Sequence, residues 1–192
     1  MQPTALKGGL TDPPRQSALA FRAIMDAMAR PGRIGDLTGA EPPAPLSVAA
    51  GTVILTLCDP ETPLYLAGAA DCQDVRDWVT FHTGAPLVGA ADCMFAVGTW
   101  RELSSLDVFP VGTSEYPDRS TTLIVEMPGL AAAGARLTGP GIATEAALNL
   151  PDIAPFQANA RMFPLGLDFL FTHGSQVAAL PRSTRVTVAE AV

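Results

Sequence analysis

The sequence predicts an α/β fold, a three-layer sandwich in which a mixed β-sheet is covered by helices on both faces. Three features carry that expectation. Short, nearly continuous apolar runs at Leu64 to Leu66, Cys93 to Val97 and Thr121 to Met127 read as strands buried on both sides. Amphipathic helical segments alternate with them. Near the end, two apolar runs flank Gly174-Ser175 as a hairpin, which supplies an antiparallel edge.

The elements follow in order. Asp12 is a candidate N-cap and Pro13 a favourable first helical residue, and Pro31-Gly32 stops the helix they open. Within it, Ala18, Phe21, Met25 and Met28 recur at three- and four-residue spacing as the expected inner face, with Arg22, Asp26 and Arg30 as a charge ladder opposite. A proline-rich linker at 39–46 precedes Ser47, which is placed to cap a helix, with Leu46, Ala49, Ala50, Val53, Ile54 and Leu57 at helical spacing. A turn at Asp59 to Pro63 leads into the strand Leu64 to Leu66. A helix over Asp71 to His82 then points Val75, Trp78 and Val79 inward and ends at Gly84 and Pro86.

After the strand at Cys93 to Val97, Trp100 to Leu106 fits one or two helical turns. The strand Thr121 to Met127 follows the polar loop Gly112 to Ser120, and a short strand is expected at Ala135 to Thr138 before Gly139-Pro140-Gly141. A helix at Pro155 to Met162 precedes the hairpin strands, Leu167 to Thr172 and Gln176 to Leu180. All 192 residues fit one domain, 1–192, with residues 1–11 expected to be a loose N-terminal segment.

Composition narrows the function. The chain is 48% hydrophobic and 16% charged, the mark of a folded protein that either has apolar surface to spare for a partner or simply has an ordinary alanine-rich composition. A net charge of −7 and the lack of any basic run argue against nucleic acid as a partner. Cys58, Cys72 and Cys93 show no metal-ligand or redox spacing and read as thiols in a reducing compartment. No stretch has the length and apolarity of a signal peptide or a membrane span, so a cytoplasmic protein is expected.

Catalytic templates are missing: there is no Gly-x-Ser-x-Gly elbow, His-Glu-x-x-His, Walker A or dinucleotide fingerprint. Only His82 and His173 could move protons near neutral pH, and both fit structural roles at element ends. Lys7 is the one lysine, and it precedes the first helix, which argues against Schiff-base chemistry. No catalytic, cofactor-binding or metal residue is therefore expected. Arg30, Arg119, Arg182 and Arg185 are flanked by proline or turn residues and either chelate an oxyanion or pair with the excess carboxylates. Gly139-Pro140-Gly141 reads as a tight turn before it reads as an anion nest, because Pro140 removes a donor. In the loop before the buried strand, Tyr116, Asp118 and Arg119 are the best contact candidates, unless Asp118 and Arg119 simply pair with each other. The candidate ligand or partner contacts are thus Arg30, Tyr116, Asp118, Arg119 and Arg182.

Several segments, in order, resemble one family. They are Phe21 to Gly32, Leu57 to Pro63, Phe81 to Ala85, Tyr116 to Ser120, Gly139 to Ile142, Phe163 to Asp168 and Leu180 to Arg185. Together they are similar to the PhnH family of carbon-phosphorus lyase subunits over residues 15 to 186. Cys58 stands where an aliphatic residue is expected, a departure that touches packing alone. The resemblance implies a fold like the large domain of pyridoxal phosphate-dependent transferases, without the cofactor. It also implies a homodimer that joins PhnG, PhnI and PhnJ in a core complex that transfers alkylphosphonate to ribose with ATP and displaces adenine. The role implied for this chain is a non-catalytic assembly subunit. The competing reading is an independent phosphonate- or nucleotide-binding protein or small-molecule transferase that uses the Tyr116 loop.

Overall fold

The structure, a computed structural model, describes residues 7–188. Helix α1 spans Pro13–Ala29 and strand β1 Gly35–Asp36. They are followed by α2 at Val48–Leu57, β2 at Leu64–Leu66 and α3 at Gln73–Thr83. The centre of the chain gives β3 (Phe95–Thr99), the short α4 (Trp100–Leu103) and β4 (Thr122–Glu126). Next come β5 (Ala135–Thr138), β6 (Ala146–Leu148) and α5 (Ala154–Ala160). The chain closes with β7 (Asp168–His173), β8 (Gln176–Leu180) and β9 (Arg185–Thr187).

Six strands form a mixed sheet in the order β1-β8-β7-β4-β3-β2. Strands β2, β3, β4 and β7 run parallel, with Val97 beside Ile124 and Ile124 beside Leu170. The expected hairpin is β7 and β8, which pairs Phe171 with Ala178, and β1 adds a short antiparallel edge to it. Because successive strand residues point to opposite faces, the run Leu123, Ile124, Val125 feeds two cores. Ile124, Val97, Leu170 and Val177 face α1, α2 and α3, while Leu123, Val125, Phe169 and Phe171 face the other way. Both faces are dry, which is why these strands read as unbroken apolar runs rather than as alternation.

The second face departs from the expected helical layer. It is covered by a three-stranded antiparallel sheet, β6-β5-β9, together with the short helices α4 and α5. Ala135 to Thr138 is a strand as expected, but it belongs to this small sheet: Ala135 and Leu137 are buried while Arg136 and Thr138 are half-exposed. Strands β1, β6 and β9, of two or three residues each, had no counterpart in the sequence reading. Phe156 of α5 anchors the layer, stacked on Trp100 and edge-on to Phe169 and Phe171.

On the first face, α1 is rotated from the expected orientation. Ala20, Ile24 and Ala27 are buried, Met28 is half-buried, and Ala18, Phe21 and Met25 lie on the exposed side. The stripe at 20, 24 and 27 has helical spacing as good as the one at 18, 21, 25 and 28, but its alanines let α1 approach α2 closely. Asp12 makes no side-chain cap; Gln16 instead reaches back, and its Oε1 accepts from the Asp12 amide at 2.8 Å. Ser47 does cap α2, with its hydroxyl accepting from the Ala50 amide at 3.1 Å. The proline linker lies against α2 at Gly51, where a Cβ would come within 2.5 Å of Pro42, so only glycine admits the linker there.

Helix α3 buries Val75, Trp78 and Val79 and ends at Gly84, whose φ of 69° is a left-handed cap. Of the segment expected to be loose, residues 1–6 lie outside the described residues. Lys7 is held on α3, its carbonyl accepting from Trp78 Nε1 at 3.1 Å and lying 3.2 Å from His82 Nε2. Among the described residues no helix is long and apolar enough to cross a membrane.

Candidate functional site

Four of the contact candidates, Tyr116, Asp118, Arg119 and Arg182, sit at the edge of the sheet where the parallel strands begin. The loop Gly112 to Ser120 precedes β4, and Arg182 follows β8, which runs the opposite way and ends at that edge. The loop closes on itself: Val111 bridges Ser120, the Thr113 amide donates to Tyr116 O at 3.1 Å, and the Tyr116 amide donates back to Thr113 Oγ1 at 3.0 Å. Gly112 has a φ of 82°, and a Cβ there would sit 2.6 Å from Pro117 O, so the closure requires glycine.

Arg182 pins this loop to the sheet. Its amide and Nε bond Asp168 Oδ1 at 2.8 and 3.2 Å, its Nη1 donates to Pro117 O at 2.6 Å, and its Nη2 meets both Ser120 Oγ and Asp168 Oδ2. The two side chains are only 13% and 16% exposed. Every guanidinium nitrogen thus has a partner within the chain, so Arg182 is a clamp and is not available to a ligand.

The remaining candidates separate. Arg119 stacks over the Tyr116 ring with Cζ 4.0 Å from the centroid, and it does so instead of pairing with Asp118. Tyr116, Asp118 and Arg119 are all exposed and form one polar and aromatic surface on the clamped loop. Arg30 is not part of it: it pairs with Asp26 on α1, and Arg33 joins the same carboxylate at 2.7 Å. Arg185 lies on β9 beside a hollow of about 400 Å³ lined by Gly139, Pro140 and Phe163. The Gly139-Pro140-Gly141 turn is structural, with the Ile142 amide donating to Gly139 O at 3.2 Å and Gly141 packed against Ala29 O.

A concavity larger than that hollow lies at the opposite edge, where the parallel strands end and where open α/β sheets place their ligands. This cleft of about 560 Å³ is bounded by Thr99 at the end of β3 with Trp100 and Arg101 of α4, by Glu126 and Pro128 at the end of β4, and by His173 at the end of β7. Pro45 and Ser47 close it from the start of α2. Glu126 is its most constrained group: Oε1 accepts from the Ser47 amide at 2.7 Å and Oε2 from Thr172 Oγ1 at 3.1 Å. Burial nevertheless dominates and pushes its carboxyl above the usual range, despite those bonds and the nearby His173. His173 Nδ1 lies 3.0 Å from Met127 O, and because a carbonyl only accepts, Nδ1 carries the proton.

Sequence reasoning passed over this cleft. Its one signal was an acid closing an otherwise apolar strand, Glu126 after Val125. The two histidines do not meet, since His82 lies on the last turn of α3 with Trp78, Phe81 and the Lys7 carbonyl. Burial pushes the Cys58 thiol up to about 12 and raises Cys93 as well, so neither is a ready nucleophile. Among the described residues no group of three or more His, Cys, Asp and Glu is placed to hold a metal.

Comparison with known proteins gives the chain its relatives. A family model described as bacterial phosphonate metabolism protein (PhnH) matches residues 8–187. A protein of Rhizobium meliloti (strain 1021) named alpha-D-ribose 1-methylphosphonate 5-triphosphate synthase subunit PhnH is 40% identical over 190 residues, covering 93% of this chain and 94% of that protein. A protein of Stutzerimonas stutzeri, named "Putative C-P lyase subunit protein HtxG", is 32% identical over 188 residues, covering 91% of this chain and 87% of its own length. With a match that runs from residue 8, ahead of α1, to the last strand of the small sheet, the chain belongs to the PhnH family of bacterial phosphonate metabolism proteins.

Proposed function

We propose that the chain is a non-catalytic assembly subunit of a carbon-phosphorus lyase core complex, supporting the ATP-dependent transfer of an alkylphosphonate to ribose C1 with displacement of adenine. The observation that carries this reading is the near end-to-end match to a relative whose name is that of a subunit of ribose 1-methylphosphonate 5-triphosphate synthase. The proposed partners are PhnG, PhnI and PhnJ, the isolated chain is a homodimer, and the compartment is the cytoplasm.

In this reading the framework is that of the large domain of pyridoxal phosphate-dependent transferases, put to use without the cofactor. The placement of Lys7 supports that part. It lies on α3, held by its own carbonyl, and does not line the cleft at the carboxyl edge, where a Schiff-base lysine would have to project. The clamped loop supports the assembly role, since Tyr116 and Arg119 are residues that interfaces favour and the loop holds them in a set geometry.

Co-expression with the other three core subunits tests the proposal. The chain is expected to co-purify with them in fixed stoichiometry under native conditions. Failure to associate in any combination refutes the assembly role.

A further inference from the structure

The cleft at the carboxyl edge has the parts of a small-molecule site, and its volume of about 560 Å³ suits a compact organic ligand. Its charged groups divide into those already used and those still available. The start of α2 is used: the Ser47 amide donates to Glu126, the Ala49 amide to Gly174 O at 2.8 Å, and the Ala50 amide to Ser47 Oγ. Arg101 is available, because it enters none of the five ion pairs among the described residues. The adjacent Glu102 feels the Arg101 charge but is bonded elsewhere, accepting from the Thr99 and Ala69 amides at 2.9 Å each.

His173 adds a second group. With Nδ1 committed to Met127 O, the Nε2 atom is the one left for a ligand, as an acceptor when the ring is neutral and as a donor when it is charged. Glu126 is the one carboxylate lining the cleft, and both of its oxygens are engaged, Oε1 by the Ser47 amide and Oε2 by Thr172 Oγ1. Trp100, with Pro45 and Pro128, gives the cleft an apolar wall.

We propose that this cleft binds a small organic oxyanion, with the anionic group held by Arg101 and by the charged form of His173, whose Nε2 then donates, and the organic body lying against Trp100 and the flanking prolines. Phosphonate, phosphate ester and carboxylate share that chemistry. The proposal is independent of the assembly role, because the residues that carry it are at the sheet edge opposite the Tyr116 loop.

Calorimetric titration of the full chain with phenylphosphonate, benzoate and inorganic phosphate tests it. Phenylphosphonate or benzoate is expected to bind more tightly than inorganic phosphate, because only the first two engage the apolar wall, and which of them binds better identifies the phosphoryl or carboxylate source. Arg101→Met is expected to weaken the better ligand by about tenfold. His173→Gln, also at an exposed position, is expected to weaken it severalfold, and Arg119→Ala to leave it unchanged. Three results overturn the proposal: no heat from any probe up to about 10 mM, a range in which even millimolar affinity registers; equal binding by wild type and Arg101→Met; or loss of binding in Arg119→Ala.

Discussion

Replacing Arg182 by methionine removes the guanidinium while keeping much of the aliphatic stem, and so isolates the clamp from the packing around it. The loss falls on Asp168, whose carboxylate is left 16% exposed with no cation, and on Ser120 Oγ and Pro117 O, which lose their donors. Breaking a buried pair from one side costs about 3–5 kcal/mol, and the residual exposure of both side chains places this case near about 3 kcal/mol. For a chain of this length that lowers the melting temperature by about 6–12 °C. Urea unfolding followed by circular dichroism measures the first quantity and calorimetry the second. The double variant Arg182→Met with Asp168→Leu removes the orphaned charge, so its loss should be smaller than the sum of the single losses by at least about 1 kcal/mol. The reasoning fails if Arg182→Met stays within about 0.5 kcal/mol of wild type, the range of an ordinary surface substitution. That result would return Arg182 to the pool of ligand contacts.

Three further outcomes are expected. Gly141→Ala places a Cβ 1.9 Å from Ala29 O at a φ of 81° and should cost at least about 2 kcal/mol in urea unfolding, whereas Gly174→Ala, with nothing within 4 Å, should cost only the left-handed backbone penalty of about 1 kcal/mol. At mildly alkaline pH a disulfide reagent should modify Cys72 in the native protein, while Cys58, with its thiol at about 12, and Cys93 react only on unfolding; fast labelling of Cys58 would contradict its burial. Glu126 has a native pKa above its unfolded value, so the stability its neutral form contributes is complete below the unfolded value and fades as pH rises through the native one. Glu126→Gln cannot ionise, so its stability relative to wild type should rise as pH increases above the unfolded carboxyl value of about 4.3, and a fall there would show that the charged carboxylate is the favoured form.

Much of the fold was legible because it rests on local rules. Ser47 was found as a cap because its hydroxyl bonds an amide three residues away, and Gly84 as a stop because glycine alone takes a left-handed cap freely. The strands at 64, 95, 122, 168 and 176 were found because burial on both faces leaves their central positions mainly to apolar residues. The face of α1 was misread because two stripes at helical spacing share that helix, and the choice between them lies in α2.

The candidate site divides along the same line. That the segment Gly112 to Ser120 is a rigid, polar and aromatic loop follows from its own residues, as does the lack of a local catalytic signature. That Arg182 closes on Asp168 and Ser120, across 14 and 62 residues of chain, was decided only when β7, β8 and β4 came together. The cleft depends on contacts longer still, since Glu126 meets Ser47 across 79 residues. Short-range order is written in a chain because a helix or a turn is set by neighbouring side chains. A cleft is a juxtaposition of strand ends and helix starts, and its geometry exists only after the hydrophobic faces of those elements have chosen one another.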